Sequence, residues 1–390
     1  MPLAEAPATP SLLWRTVSAC TCGVAGGLSR VFLFGASKTE VNGLDGFLDT
    51  LDQRTDVDGR EKGLITVSNH VSVLDDPLIW GVLPFRYHWN PDNMRWSLGS
   101  YDICFQNKIL SGFFTFGQVL PTHRSAHSQH GGLFQPTITQ AIRLLSSGPF
   151  TRIPHPANTT SPSLLSPDIS DPFSTGHLTY STNSVDPFFT GHLTYSTNGV
   201  DTFPAPSAYA NRKHSWVHIF PEGKVHQKED KTMRYFKWGV ARLILESEPC
   251  PDVVPMWIEG PDQIMHEARE WPRFVPRPLR NVSVTFGEKV DMDEIFGDLR
   301  ARWRGLNRAE PAAHGLELSE LTDAMKYGPE AVALRKECTM RVRGEILKVR
   351  RKRGLPDEDP KAGLVDTWRV EGSKGKREGK MDDGSWVKDT

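Results

Sequence analysis

His70 and Asp75, five positions apart within Leu64–Pro84 (LITVSNHVSVLDDPLIWGVLP), are the pair in this chain best suited to proton transfer. Histidine titrates nearest neutrality. A carboxylate bonded to one ring nitrogen fixes the tautomer and stabilises the imidazolium formed when the other nitrogen takes a proton. A five-residue separation places two side chains about 140° apart on an ideal helix and on opposite faces of a strand, so neither element pairs them. A tight strand-to-helix turn does, and the chemistry expected of the pair is acyl transfer to an alcohol whose hydroxyl the histidine deprotonates. The bland alternative is that Ser72 and Asp75 form a capping box, Asp76 caps the next helix and His70 is an ordinary loop histidine.

Two elements must position the pair. Leu64–Val67 is a short, partly β-branched apolar run of the kind that makes a buried strand, and it ends in polar Ser68, Asn69 and His70. Asp76 followed by Pro77 predicts an N-cap and first helical residue, because proline needs no amide hydrogen there, and hence a helix from Pro77 towards Leu83.

Composition bounds the rest. In 390 residues, 46 basic and 47 acidic side chains leave a net charge of −1, which argues against a general nucleic-acid binder. Cys20, Cys22, Cys104, Cys250 and Cys338 lack the spacing of a zinc framework, and no metal or cofactor site is expected.

Residues 11–37 are apolar or small, interrupted by Arg15 and Arg30. The charge-free part is shorter than the roughly 20 residues of a membrane span, so an interfacial or re-entrant segment is expected, with a buried first helix as the alternative. Ile109–Leu120 is wholly uncharged and predicts a core helix or strand. Gln135–Ser147 predicts a helix before a block rich in Ser, Thr, Pro and Asn, in which residues 171–185 and 186–200 are a near-perfect tandem repeat. Two copies are too few for a solenoid, so 125–215 is expected to be a mostly disordered insertion. Order is expected again at Ser215, with SWVHIF as a strand running into Phe220-Pro221-Glu222-Gly223. A helix is predicted over 236–248, and strands over 250–258 and 281–286. Beyond Asp291 the chain is charged and helical; in 341–353 apolar residues interleave with many basic ones, predicting either a helix lying on an anionic membrane or a solvated helix end. Residues 354–390 are expected to be a disordered tail.

N-H-x-S-x-x-D-D-P resembles the first motif of the glycerolipid acyltransferase superfamily. Pro121-Thr122-His123-Arg124 resembles its basic second motif, F-P-E-G its third, and CPDVVPMWI its hydrophobic fourth, in the expected order. The resemblance implies an α/β fold, a mixed β-sheet flanked by helices, monotopic on a membrane. The acyltransferase domain would cover 38–300 around the 125–215 insertion, with a membrane-associated segment at 1–37 and a basic helical region at 301–353. It implies His70 and Asp75 as the catalytic pair, Arg124 on the acceptor phosphate, and Asn69, Ser72, Phe220, Pro221, Glu222 and Gly223 around the substrate headgroup. Asp-Asp-Pro and Trp80 are most like the branch that moves acyl chains from phospholipid to lysophospholipid without coenzyme A, remodelling cardiolipin on a cardiolipin-rich mitochondrial membrane. An acyl-CoA-dependent lysophospholipid acyltransferase is the nearest alternative, and a non-catalytic membrane scaffold on the same fold is another.

Overall fold

The computed structural model describes residues 12–124, 131–147, 214–313, 318–364 and 367–368, with short strands inside 178–204 and 378–388. Seven strands, numbered in chain order, form one mixed sheet: β1 (Lys38–Asn42), β10 (Asn281–Phe286), β9 (Asp252–Glu259), β2 (Leu64–Ser68), β8 (Trp216–Ile219), β3 (Trp96–Ser100) and β4 (Val119–Thr122). β9, β2, β8, β3 and β4 are parallel, whereas β10 runs antiparallel to β9 and β1 follows β10. This is the expected mixed sheet.

β2 lies at its centre, and all five of its residues are buried. Alternate side chains enter two separate cores, as a strand covered on both faces requires. Ile65 and Val67 pack with α6 (Pro136–Leu145) and α7 (Gly239–Glu246), while Leu64 packs with Trp80, Trp216 and Val254. On the first face also lie α9 (Met292–Ala309) and α11 (Pro329–Lys352), numbered after the short α8 (Pro261–Ile264) and α10 (Asp323–Tyr327). The second face carries α1 (Leu12–Ala36), α2 (Leu44–Asp52) and α3 (Asp75–Trp80).

Several local expectations need correction. The helix after β2 begins at Asp75 and not at Pro77; its N-cap is Leu74, so Asp76 is no cap. The uncharged 109–120 run divides into α5 (Lys108–Phe116) and β4, preceded by the short α4 (Tyr101–Cys104). The N-terminal apolar run forms one 25-residue helix, long and apolar enough to cross a membrane by length and composition. Its inner side is nevertheless packed on the body of the protein: Trp14, Ser18, Cys22, Gly26 and Leu33 are buried. Arg30 donates from Nη1 to the carbonyls of Gly81, Val82 and Leu83. A β-carbon on Gly26 would lie 1.9 Å from His88 Cδ2, so only glycine admits this approach.

The basic stretch 341–353 belongs to α11, and its Arg343 and Arg350 face inward. Arg343 donates to the carbonyls of Met233 and Arg234, and both arginines meet the buried carboxylate of Glu358. Their planar, multi-donor heads are absorbed by backbone oxygens, which is why a strongly basic helix serves here as a core element. Within the insertion, β5 (Leu178–Tyr180), β6 (Leu193–Ser196) and β7 (Thr202–Pro204) pair antiparallel; β5 and β6 are equivalent positions of the two repeat copies. The remainder of 148–213 lies outside the described residues, as do 365–366, 369–377, 381–385 and 389–390 of the tail, where β11 (Glu378–Lys380) pairs with β12 (Trp386–Lys388).

Candidate active site

Parallel strands deliver their following loops to one edge of the sheet, and four loops meet there: Asn69–Leu74 after β2, Phe220–Val225 after β8, Tyr101 onward after β3, and His123–Arg124 after β4. The turn after β2 is tight enough to bring His70 Nδ1 within 2.9 Å of Asp75 Oδ2. The same carboxylate oxygen accepts from the backbone N–H of Val71 at 2.6 Å and of Ser72 at 2.8 Å. Asp75 thus closes the turn and orients the imidazole at once, combining the capping and the catalytic alternatives. Burial pushes its carboxyl above the usual range, against the pull of His70 and the two amides. With Nδ1–H donated to Asp75, the lone pair sits on Nε2. One side of the His70 ring is covered by Phe220, stacked at 4.3 Å between centroids, and the side chain keeps 20% of its exposure.

The other polar residues of the first and third motifs are occupied by the protein itself. Asn69 donates from Nδ2 to the carbonyl of Ile258 at 2.9 Å and accepts at Oδ1 from the same residue's N–H at 2.8 Å, tying the turn to β9. Ser72 is buried, and its Oγ accepts from Leu74 N–H at 3.3 Å. Glu222 accepts from His70 N–H and from Arg234 N–H, each at 2.8 Å, and burial pushes its carboxyl up to about 7. Glu222 thus holds the His70 backbone directly, while Asn69 and Ser72 fasten the turn on either side of it. Pro221 is buried and its carbonyl accepts from Lys237 N–H at 2.7 Å. Gly223 turns with φ 63°, and a β-carbon there would meet the Lys237 side chain at 2.8 Å.

Arg124 is paired with Asp102: Nε lies 3.0 Å from Oδ1, and Nη2 bonds Oδ2. The Lys237 ammonium beside it is depressed chiefly by desolvation and then by the charges of Lys224, Arg124 and Arg234. Arg124, Lys224, Arg234 and Lys237 thus gather beside the Phe220–Val225 turn.

Sequence reasoning missed the network beneath the pair. Asp76 accepts from Arg95, from Trp80 Nε1 at 3.2 Å and from Ser97 Oγ at 3.2 Å. Burial alone would raise this carboxyl, but Arg95 and its other partners bring it below its ordinary value. His218 is fully buried on β8, 2.8 Å from Thr66 Oγ1, with Trp80 and Phe220 edge-on to its ring. Burial drives its pKa down to about 3, so it is neutral. A signal existed: Thr66, Ser68 and His218 are polar residues at alternate positions of otherwise apolar strands.

No protein-family model matches the chain. Over 94% of its length it is 34% identical to tafazzin of Saccharomyces cerevisiae, and it spans 86% of that protein. The chain belongs to the tafazzin family. Tafazzin of Drosophila melanogaster is 28% identical over 81% of this chain, which spans 62% of the fly protein. N-acylphosphatidylethanolamine synthase of Arabidopsis thaliana is 29% identical over 59% of the chain and 56% of that enzyme. Among solved structures, the 1-acyl-sn-glycerophosphate acyltransferase PlsC of Thermotoga maritima overlaps 74% of this chain and 76% of its own at a TM-score of 0.36 and 13% identity, a likeness too slight to carry weight. With its tafazzin relatives, the chain is an acyltransferase.

Proposed function

We propose that this tafazzin-family chain is a coenzyme A-independent phospholipid–lysophospholipid transacylase that remodels cardiolipin, with His70 as general base and Asp75 as its orienter. The observation that carries the proposal is the 2.9 Å contact between His70 Nδ1 and the buried Asp75 carboxylate, which leaves Nε2 at the open edge. His70 Nε2 takes the proton of the lysophospholipid hydroxyl as its oxygen attacks the donor's ester carbonyl. The tetrahedral intermediate collapses by breaking the bond to the donor's glycerol oxygen, and the imidazolium returns its proton to that oxygen. Asp75 stabilises the imidazolium in between. Because one ester is broken and one is made, the exchange needs no thioester and no net proton.

Arg124, Lys224 and Lys237 supply positive charge for the phosphates of both lipids, Arg124 at the expense of its Asp102 contact. The protein sits on one side of a mitochondrial membrane, held by the outer face of α1, where Leu13, Val24, Leu28, Val31 and Phe34 are exposed. The test is acyl exchange between labelled phosphatidylcholine and lysocardiolipin by the purified chain. Transfer without added acyl-CoA is expected. Transfer that appears only with acyl-CoA would replace this reading by the thioester-dependent one.

A further inference from the structure

The connection between β9 and β10 belongs to none of the four motifs, and its second half has an unusual composition. Arg269–Arg280, REWPRFVPRPLR, interleaves four arginines with Trp271, Phe274, Val275 and Leu279. Trp271, Phe274 and Leu279 are 81%, 75% and 83% exposed, more than a monomer's surface commonly allows in so short a segment. Pro272, Pro276 and Pro278 fix φ at three positions, so this surface is presented without much conformational entropy left to lose.

The arginines brace the loop from inside. Arg269 donates from Nη1 to the carbonyl of His266, Arg273 to that of Glu267 and Arg277 to that of Glu270, each at 2.7 Å. Backbone oxygens accept these bonds, and although Glu267 and Glu270 lie on the same stretch, the four arginines leave it net positive. Among the described residues, none of the four arginines is ion-paired to a carboxylate. The loop is thus apolar at its tip and positive along its stem.

Topology places it beside the chemistry. β9 is parallel to β2, so the chain leaves β9 at the edge where β2 presents His70. Gln227 joins the two: its Nε2 donates to the carbonyl of Val71 at 2.7 Å and its Oε1 accepts from Glu267 N–H at 3.0 Å. At its far end, Leu279 N–H donates to the carbonyl of Ala36 at 2.6 Å, the last residue of α1, so the loop continues the exposed Val31 and Phe34.

We propose that Trp271, Phe274 and Leu279 form an insertion loop that enters an anionic phospholipid leaflet, with the arginines on lipid phosphates, and thereby turns the His70 edge towards the membrane that supplies its substrates. An amphipathic, positively charged segment with aromatic residues matches the boundary between headgroups and acyl chains. A net positive stem favours such a leaflet over a second copy of this chain, which would bring the same charge.

The test uses the full chain with Trp271→Ala, Phe274→Ala and Leu279→Ala combined, and flotation with vesicles of phosphatidylcholine alone or mixed with cardiolipin. Binding and not activity is read, so failure of the proposed reaction leaves the result interpretable. Since α1 contributes an unchanged factor, the partition coefficient onto cardiolipin vesicles should fall at least about 10-fold, the loss expected from three apolar side chains no longer buried. The thermal unfolding midpoint should not change, because the substituted side chains are exposed. Arg273→Gln with Arg277→Gln should instead remove the preference for cardiolipin over phosphatidylcholine while leaving the apolar tip. Partition within about twofold of the unmodified chain for both variants would overturn the proposal. So would loss of self-association by the alanine variant, in sedimentation without lipid, with vesicle binding unaltered, since the surface would then serve protein contact.

Discussion

Replacing Asp76 by alanine should unfold this protein far more readily than a lost helix cap would. Arg95 has a side chain only 8% exposed, and its guanidinium is held by Asp76 and, through Nη1 at 3.1 Å, by the carbonyl of Gly117. Removing the carboxylate strands a buried positive charge, which costs about 3–5 kcal/mol; since Asp76 retains some exposure, we expect about 3 kcal/mol. Trp80 Nε1 loses its acceptor as well. Asp76→Asn should also destabilise, by less, because its amide keeps one oxygen for Arg95 or Trp80 but not both. Combining Asp76→Leu with Arg95→Met removes both charges and should restore most of the loss. Urea unfolding of the three variants in detergent is the assay. A loss below about 1 kcal/mol for Asp76→Ala, or a double variant less stable than the single one, would refute the buried-pair reasoning.

Glu222 makes stability depend on pH. Its carboxyl titrates at about 7 in the fold against an ordinary 4.5, so the folded state holds the extra proton between those values. Its contribution to stability is therefore fully present below 4.5 and is lost as pH rises through about 7, by about 3 kcal/mol in all. Glu222→Gln should abolish that slope, and unfolding midpoints that keep the same pH dependence in the variant would contradict the assignment. Gly26→Val should push α1 off the His88 turn, lowering stability by about 1–3 kcal/mol as overpacking does, measured by thermal unfolding.

The sequence made the site legible where its signals were local. A strand, a turn of fixed length and Asp75 sufficed to expect the His70 contact, and four motif-like blocks in order sufficed to expect the mixed sheet. Asp-Pro, by contrast, reads as a cap in any context, and what overrides it, Arg95, stands 19 residues away with no local signature. Similarly, Val342, Ile346 and Val349 among basic residues read as an amphipathic surface helix. Arg343 and Arg350 are one heptad apart and share the inner face with those apolar residues. That is tolerable only because Glu358 folds back onto them. The resemblance places Asn69, Ser72 and Glu222 around the headgroup; the backbone partners that they hold in the fold are something no pattern of residue types reveals. The 269–280 loop has no periodicity and matched no motif.

The most direct test of the catalytic pair is the acyl-exchange rate of His70→Ala and Asp75→Asn, measured per folded molecule in the same vesicles as the unmodified chain. His70→Ala should lose at least about 100-fold, roughly 2.7 kcal/mol of barrier, with its unfolding midpoint little changed. Asp75→Asn should fall in the same direction, because the amide offers the wrong partner to Nδ1 and cannot stabilise the imidazolium. Full exchange by folded His70→Ala would contradict the proposal outright and leave the turn to a scaffold without chemistry.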